Sequence, residues 1–157
     1  MFKINRRTDY AVRVGVALAR CPVGTRLPTQ TVQREMLIPG PFLQRIISEL
    51  SHAHIIQTYP GPTGGIQLAR PADKITLFDF IQAMEGPLCL SDCLERPQDC
   101  PLSRECPVRG RWGRLQRLLL RELQRIPLSQ LAAESQPVVP ASLNLQDHVV
   151  ISHRAAD

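Results

Sequence analysis

The tripeptide Pro39-Gly40-Pro41 constrains the fold of this chain more than any other short stretch. Proline fixes φ, lacks an amide hydrogen and pushes the residue before it out of the helical region, so no helix runs through two prolines around a glycine. The flanking segments nevertheless carry helical spacing. Before the turn, Thr29 or Thr31 can cap a short helix reaching Met36; after it, Phe42, Ile46, Ile47 and Leu50 recur at helical intervals. Two short helices must therefore reverse on one another within a few residues. Immediately downstream, Ile55 to Tyr59 and Ile66 to Ala69 predict two strands around Pro60-Gly61-Pro62-Thr63-Gly64-Gly65, a hairpin loop. An earlier helix is predicted over residues 8 to 20, starting near Asp9 with Thr8 as its N-cap, because Tyr10, Val14, Ala17 and Leu18 share a face. Helix, helix, turn, helix, hairpin is the order of a winged helix-turn-helix.

That order suits duplex DNA for a geometric reason. The major groove admits a helix, and a hairpin beside it can reach the adjoining minor groove or backbone. Pro41, Gln44 and Arg45 open the helix that would enter the groove, where base edges are met, and Gln30, Gln33 and Arg34 on the preceding helix can bond phosphates. The competing reading is a helical hairpin whose Gln and Arg side chains simply face water. Charge permits a polyanionic partner without naming one: 19 basic against 14 acidic residues leave a net charge of +5.

After Pro71, Leu77, Phe78, Ile81 and Met84 predict a further short helix ending at Gly86. From Val108 onward, Trp112, Leu115, Leu118, Leu119, Leu123 and Ile126 step by threes and fours along one long helix. Its other side carries Arg114, Arg117, Arg121 and Arg125. Such a stripe must be buried, and a helix trailing a small completed domain finds its natural partner in a second copy of itself. The expected class is mainly α with a small β-hairpin. Its organisation is a winged helix-turn-helix domain (1–86), a cysteine-rich loop (87–107), a dimerisation helix (108–126) and a loosely ordered tail (127–157) in which Ser129 to Ala133 can form a helical turn.

The loop contains four of the five cysteines, spaced Cys89-x3-Cys93-x6-Cys100-x5-Cys106. The start of the chain has no apolar signal run, and no stretch approaches the roughly 20 apolar residues of a membrane span. The expectation is a cytoplasmic protein, without membrane contact, in which a cysteine cluster points to metal or redox chemistry ahead of disulfides. Only Cys89 and Cys93 meet the usual spacing of a zinc pair. Three prolines in the loop, Pro97, Pro101 and Pro107, favour an extended backbone that lets spaced thiolates converge on something larger than one ion, such as an iron-sulfur cluster. Zinc and iron-sulfur both remain open on spacing alone. The fifth cysteine, Cys21, has apolar neighbours and reads as packing.

Several segments together carry a resemblance: Thr8-Asp9-Tyr10-Ala11-Val12-Arg13, Ile38 to Leu50, Gly64-Gly65-Ile66-Gln67-Leu68-Ala69-Arg70-Pro71, Ile75-Thr76-Leu77 and Ala83-Met84-Glu85-Gly86. Over roughly residues 1 to 130 the chain resembles the IscR and NsrR type regulators of the Rrf2 family. The resemblance implies a winged-helix dimer with an iron-sulfur cluster in the loop before the dimerisation helix. Cys93, Cys100 and Cys106 match the three cysteine ligands of that family. The fourth ligand differs between subfamilies. The IscR type has a histidine where this chain has Arg109, which stays protonated and cannot ligate. The NsrR type uses an aspartate in a Thr-Asp motif, matched by Thr8-Asp9, although an acid at a helix N-terminus is also favoured by the dipole alone. Cys89 is the other candidate, as fourth ligand, nearby reactive thiol or small buried residue. One departure concerns the wing, where relatives often have an arginine before the Gly-Pro-x-Gly-Gly turn and this chain has Pro60.

The resulting expectation is a homodimeric transcriptional repressor that binds a double-stranded DNA operator and senses redox, nitric oxide or iron-sulfur status through a cluster, 4Fe-4S ahead of 2Fe-2S. Two alternatives stand beside it: the same fold with structural zinc or no metal, and an iron-sulfur electron-transfer protein. No enzyme is expected, because His52, His54, His148 and His153 are scattered and no nucleophile and base are paired by spacing.

Overall fold

The computed structural model describes residues 3–102 and 104–135. Helix α1 (Arg6–Ala19) begins earlier than the sequence suggests, because Asn5 is its N-cap and accepts a hydrogen bond from the Arg7 amide at 3.1 Å. Thr8 is therefore not a cap. It lies buried in the first turn, where its hydroxyl donates to the Glu85 carboxylate. α2 (Thr29–Glu35) starts behind Pro28 with no capping side chain, so neither Thr29 nor Thr31 has the expected role; proline suits a helix start because it has no amide to leave unpaired. α3 (Gly40–His52) follows the turn predicted around Pro39.

Strands β1 (Ile56–Tyr59) and β2 (Gly65–Leu68) pair antiparallel, with Ile56 opposite Leu68 and Tyr59 opposite Gly65. Leu27 adds a bridge on the outer side of β2, exchanging two 2.9 Å backbone hydrogen bonds with Ile66. The linker between α1 and α2 thus forms the third edge of the wing.

α4 (Leu77–Glu85) opens on a reciprocal cap in which the Thr76 amide and hydroxyl donate to Asp79 at 2.7 and 3.1 Å. Its buried face is Phe80, Ile81 and Met84. Phe80 is fully enclosed while Phe78, expected on that face, is half-buried, because the start at Leu77 turns the 80/81/84 row inward. A four-residue helix α5 (Asp92–Glu95) lies in the cysteine loop, and α6 (Pro107–Arg125) follows. α7 (Leu128–Glu134) replaces the single turn expected near residue 129.

One apolar core joins these elements: Val14 of α1, Val32 of α2, Leu43, Ile46 and Leu50 of α3, Ile56 and Ile66 of the wing, and Phe80 of α4 are all closed to solvent. Burying each such side chain contributes roughly 1.5–3 kcal/mol. Leu128 belongs to the same core. It and Phe80 meet α1 at Gly15, and the backbone around it is pinned by hydrogen bonds from Leu128 to Ile75 (2.7 Å) and from Leu77 to Ile126 (2.9 Å). The chain after Pro127 therefore starts by completing the domain; residues 136–157 of the expected tail lie outside the described part. No helix among the described residues is long and apolar enough to cross a membrane.

Candidate nucleic-acid interface and cysteine loop

The reversal between α2 and α3 is held from both sides. Ile38 is buried and its amide bonds the Gln33 carbonyl at 3.1 Å, while Leu37 takes a positive φ of 52° with its side chain in solvent. α3 then packs Leu43, Ile46, Ile47 and Leu50 into the core. That burial sets the rotation of the helix and leaves Pro41, Gln44, Arg45 and Ser48 on the outside, at the i, i+3, i+4, i+7 spacing of one face. Phe42, expected among the apolar core positions, is instead 44% exposed and meets Tyr10 edge-on with centroids 5.9 Å apart. On α2, Gln30 and Arg34 are exposed one turn apart. Gln33 is half-buried, its amide lying against Gly40 at the start of α3, so it braces the two helices as well as bordering their outer face.

Residues without a periodic signature complete this face. Glu49, on the side of α3, accepts two hydrogen bonds from the Arg7 guanidinium at 3.1 and 3.0 Å and has Arg45 at 3.8 Å. The pair with Arg7 ties α1 to α3. On the wing, the Arg26 guanidinium lies over the Tyr59 ring, 3.6 Å from its centroid. Charge counting does not reveal either pairing, since the partners are tens of residues apart in sequence. Only the charge of Arg7 and the aromatic character of Tyr59 hint at them.

Asp9 projects from the first turn of α1, exposed and paired with Arg13 at 2.8 Å. It borders a groove of about 280 Å³ walled by Ile4, Thr8, Val12, Leu77, Ile81, Leu119 and Leu123, where α1 and α4 face α6. In the cysteine loop, Cys89 donates to the Ser91 carbonyl at 3.1 Å, and Cys93 lies 3.2 Å from the Ser91 hydroxyl. Cys100 follows a 3-10 turn over Pro97–Asp99, and Cys106 is the N-cap residue of α6. All are half-buried and none forms a disulfide. The loop is fastened to α6 by the Leu90 amide, which donates to the Gln116 side chain at 3.0 Å. Cys89 lines a cavity together with Lys3, Ile4, Ile81 and Glu85, close to the approach to α1.

Chemically the donor set fits an iron-sulfur cluster: four thiols outside any disulfide, partly shielded, within one short segment in which Cys93 lies in the one-turn helix α5 and Cys106 at the start of α6. Among the described residues no three His, Cys, Asp or Glu side chains converge to hold a metal ion. Cys93, Cys100 and Cys106 share a loop but not a centre, and Asp9 stands apart on α1.

The long helix α6 buries none of its residues. Leu119 and Leu123 are half-covered in the groove, whereas Val108, Trp112, Leu115 and Leu118 are 41–48% exposed. Along this helix of 19 residues, about 28 Å long, the predicted apolar stripe is thus divided: Leu119 and Leu123 face α1 and α4, and Val108, Trp112, Leu115 and Leu118 stand in solvent.

Comparison with known proteins agrees with this architecture. The sequence model of the Rrf2 family, described as "Iron-dependent Transcriptional regulator", matches residues 4–134. Protein aau3 of Rhizobium meliloti strain 1021 is 28% identical over 152 residues, covering 94% of this chain and 95% of that protein. Among solved structures, CymR (YrzC), the global cysteine regulator of B. subtilis, superposes with a TM-score of 0.66 at 21% identity, over 87% of this chain and all of that one. T. potens IscR superposes with a TM-score of 0.64 at 20% identity, over 86% and 89% of the two chains.

Proposed function

The chain belongs to the Rrf2 family of transcriptional regulators, and on that premise we propose that it is a homodimeric DNA-binding repressor whose operator affinity is set by an iron-sulfur cluster. The observation that carries the reading is α3. A rigid apolar face holds the helix, and a continuous polar stripe of Pro41, Gln44, Arg45 and Ser48 stands outward beside a hairpin. Gln44 and Arg45 meet base edges, and Gln30 and Arg34 meet phosphates that fix the register. Two copies joined along the exposed stripe of α6 present two α3 helices to successive turns of the duplex. Repression follows from occupancy, because a bound dimer blocks polymerase.

Cys93, Cys100 and Cys106 would hold the cluster, with Asp9 or Cys89 as fourth ligand and four irons ahead of two. When bound, the cluster supplies thiolate-iron bonds that oxidation or nitric oxide breaks. The protein converts loop order into DNA affinity through contacts at both ends of the loop. At its start, Glu85 accepts hydrogen bonds from the Asn5 amide at 3.0 Å and from the Thr8 hydroxyl, and neighbouring Arg7 clamps Glu49 of α3. At its far end Cys106 leads directly into α6, which sets the separation of the two recognition helices. A small change in that separation removes specific contacts, since half-sites are spaced by whole turns of DNA.

The test is anaerobic purification followed by visible absorption, analysis of iron, sulfide and zinc, and gel shifts on genomic fragments before and after cluster removal. A coloured protein with iron and sulfide, and a fragment whose affinity changes on cluster removal, is the expected result. A colourless protein with stoichiometric zinc, or identical shifts in both states, would overturn the cluster reading. If neither form shifts any fragment, the DNA reading falls as well.

A further inference from the structure

The hairpin that flanks α3 has no charge of its own: residues 55–69 contain no Lys, Arg, Asp or Glu. A wing lying against a polyanion without a cation would desolvate phosphates with nothing to offer them. The strand register identifies what faces outward. Gln57 opposes Gln67 and Tyr59 opposes Gly65, so these side chains share one face, while Ile56 and Ile66 are buried on the other. Because Leu27 bridges Ile66, the antiparallel register sets Arg26 opposite Gln67, on the outward face too. Gly65 lets the Leu27 backbone approach the hairpin closely, and the exposed Arg26 guanidinium beside it lies over the Tyr59 ring, 3.6 Å from its centre. Tyr59 is itself fixed, donating its hydroxyl to Gln57 at 2.9 Å, and Gln67 reaches the same Gln57 oxygen at 3.4 Å.

We propose that Arg26, held flat on Tyr59 at the outward face of the wing, is a backbone-phosphate clamp for duplex DNA. Among the described residues no carboxylate pairs with Arg26, so its charge is not cancelled locally. Stacking engages the face of the guanidinium and leaves its N–H groups, which lie in the plane, free for bidentate contact with a phosphate. The ring also holds the side chain in place, so less rotamer freedom is lost on binding. Lysine cannot substitute fully, since an ammonium neither stacks as a plane nor forks onto two oxygens. The proposal rests on the DNA-binding reading above and adds to it a cation that comes from the α1–α2 linker, not from the hairpin.

The experiment is fluorescence anisotropy of the full-length protein with a labelled duplex of random sequence and with an A·T-rich duplex, across a salt series, for wild type, R26A, R26K, Y59F and Y59L. R26A is expected to weaken binding about tenfold on both duplexes and to lower the slope of log K against log salt by about one per protomer bound. R26K should recover the salt slope and only part of the affinity. Y59F, which retains the ring, should bind like wild type, and Y59L should fall between wild type and R26A. All substituted positions are partly or fully exposed, and unchanged thermal melting would confirm intact folding. R26A binding within about twofold of wild type, at an unchanged slope, would overturn the clamp while leaving the DNA reading intact. A loss confined to the A·T-rich duplex would also overturn it, in favour of minor-groove reading. A wild-type protein that binds neither duplex at low salt would overturn both readings together.

Discussion

Gly65→Ala should damage the wing far more than a glycine replacement at its tip, and the close packing around Gly65 sets the size of the effect. Gly65 has φ of 145°, and an added methyl carbon would lie 2.8 Å from the Leu27 carbonyl carbon and 3.2 Å from the Pro28 nitrogen. Those atoms are backbone, so no side chain can swing aside. Restoring an ordinary carbon-carbon separation of about 3.5 Å moves Leu27 outward by about 0.7 Å. Both 2.9 Å hydrogen bonds between Leu27 and Ile66 then stretch beyond useful length. Two lost bonds cost about 1 kcal/mol each, and the unfavourable backbone angle adds about 1–3 kcal/mol. The sum, about 3–5 kcal/mol, corresponds to a fall in Tm of roughly 9–25 °C for a domain of this size. Gly61→Ala is the matched control, since Gly61 has φ of 97° and open space around it. It should cost only about 1 kcal/mol, for the backbone angle alone. Thermal unfolding followed by circular dichroism measures both. Equal shifts for the two variants would refute the reasoning, because the close approach to Leu27 would then contribute nothing. Gly65→Ala should also weaken DNA binding, since Arg26 is carried by the displaced strand.

Four further outcomes are expected. Leu128→Ala removes a fully enclosed side chain and should destabilise the domain by about 2–5 kcal/mol in urea unfolding, whereas a true tail residue would show no change. If the proposed dimer forms along α6, Leu115→Glu, which places a charge in its exposed stripe, should halve the mass seen by sedimentation equilibrium; an unaltered mass would exclude this stripe from the proposed contact. Glu49→Gln should cost about 1–2 kcal/mol, because it leaves the Arg7 guanidinium half-satisfied at a site still about a quarter open to water, and an effect within experimental error would show that the α1–α3 clamp is inert. Asp9→Ala should leave the melting of the cluster-free protein within about 0.5 kcal/mol, since its pair with Arg13 is exposed. A changed visible spectrum in that variant would identify Asp9 as a ligand, and an unchanged one with a changed Cys89→Ala spectrum would transfer the role to Cys89.

Much of the winged-helix architecture was legible because it rests on local rules. The Pro39-Gly40-Pro41 turn, the glycine-rich hairpin loop and the stripe along α6 each follow from backbone chemistry or from a 3.6-residue period, and neither needs distant partners. Where the structure departs from those local rules, it does so in helix rotation and element boundaries. Phe42 was expected in the core and Phe80 was not singled out, because an apolar residue next to a helical row reads much like one within it. Which of the two is enclosed depends on what packs over the helix. The cysteine loop divides the same way: its four thiols and their spacing are plain in the sequence, whereas their relative placement depends on α5, the 3-10 turn and the start of α6.

The sequence by itself determined the order of the elements from α1 to α4 and the place of α6, the outward polar stripe of α3, the lack of charge in the wing and the thiol-rich segment before an amphipathic helix. All of these are properties of segments, set by residues within a few positions of one another. Tertiary structure alone decided that Leu128 returns to close the core at α1, that Leu27 becomes the outer edge of the wing, that Arg7 clamps Glu49, and that Arg26 rests on Tyr59. Each of those contacts joins residues 33 to 113 positions apart, counted from Arg26–Tyr59 to Gly15–Leu128. Contacts at that range depend on how the packed core places whole elements, and no local pattern encodes that placement.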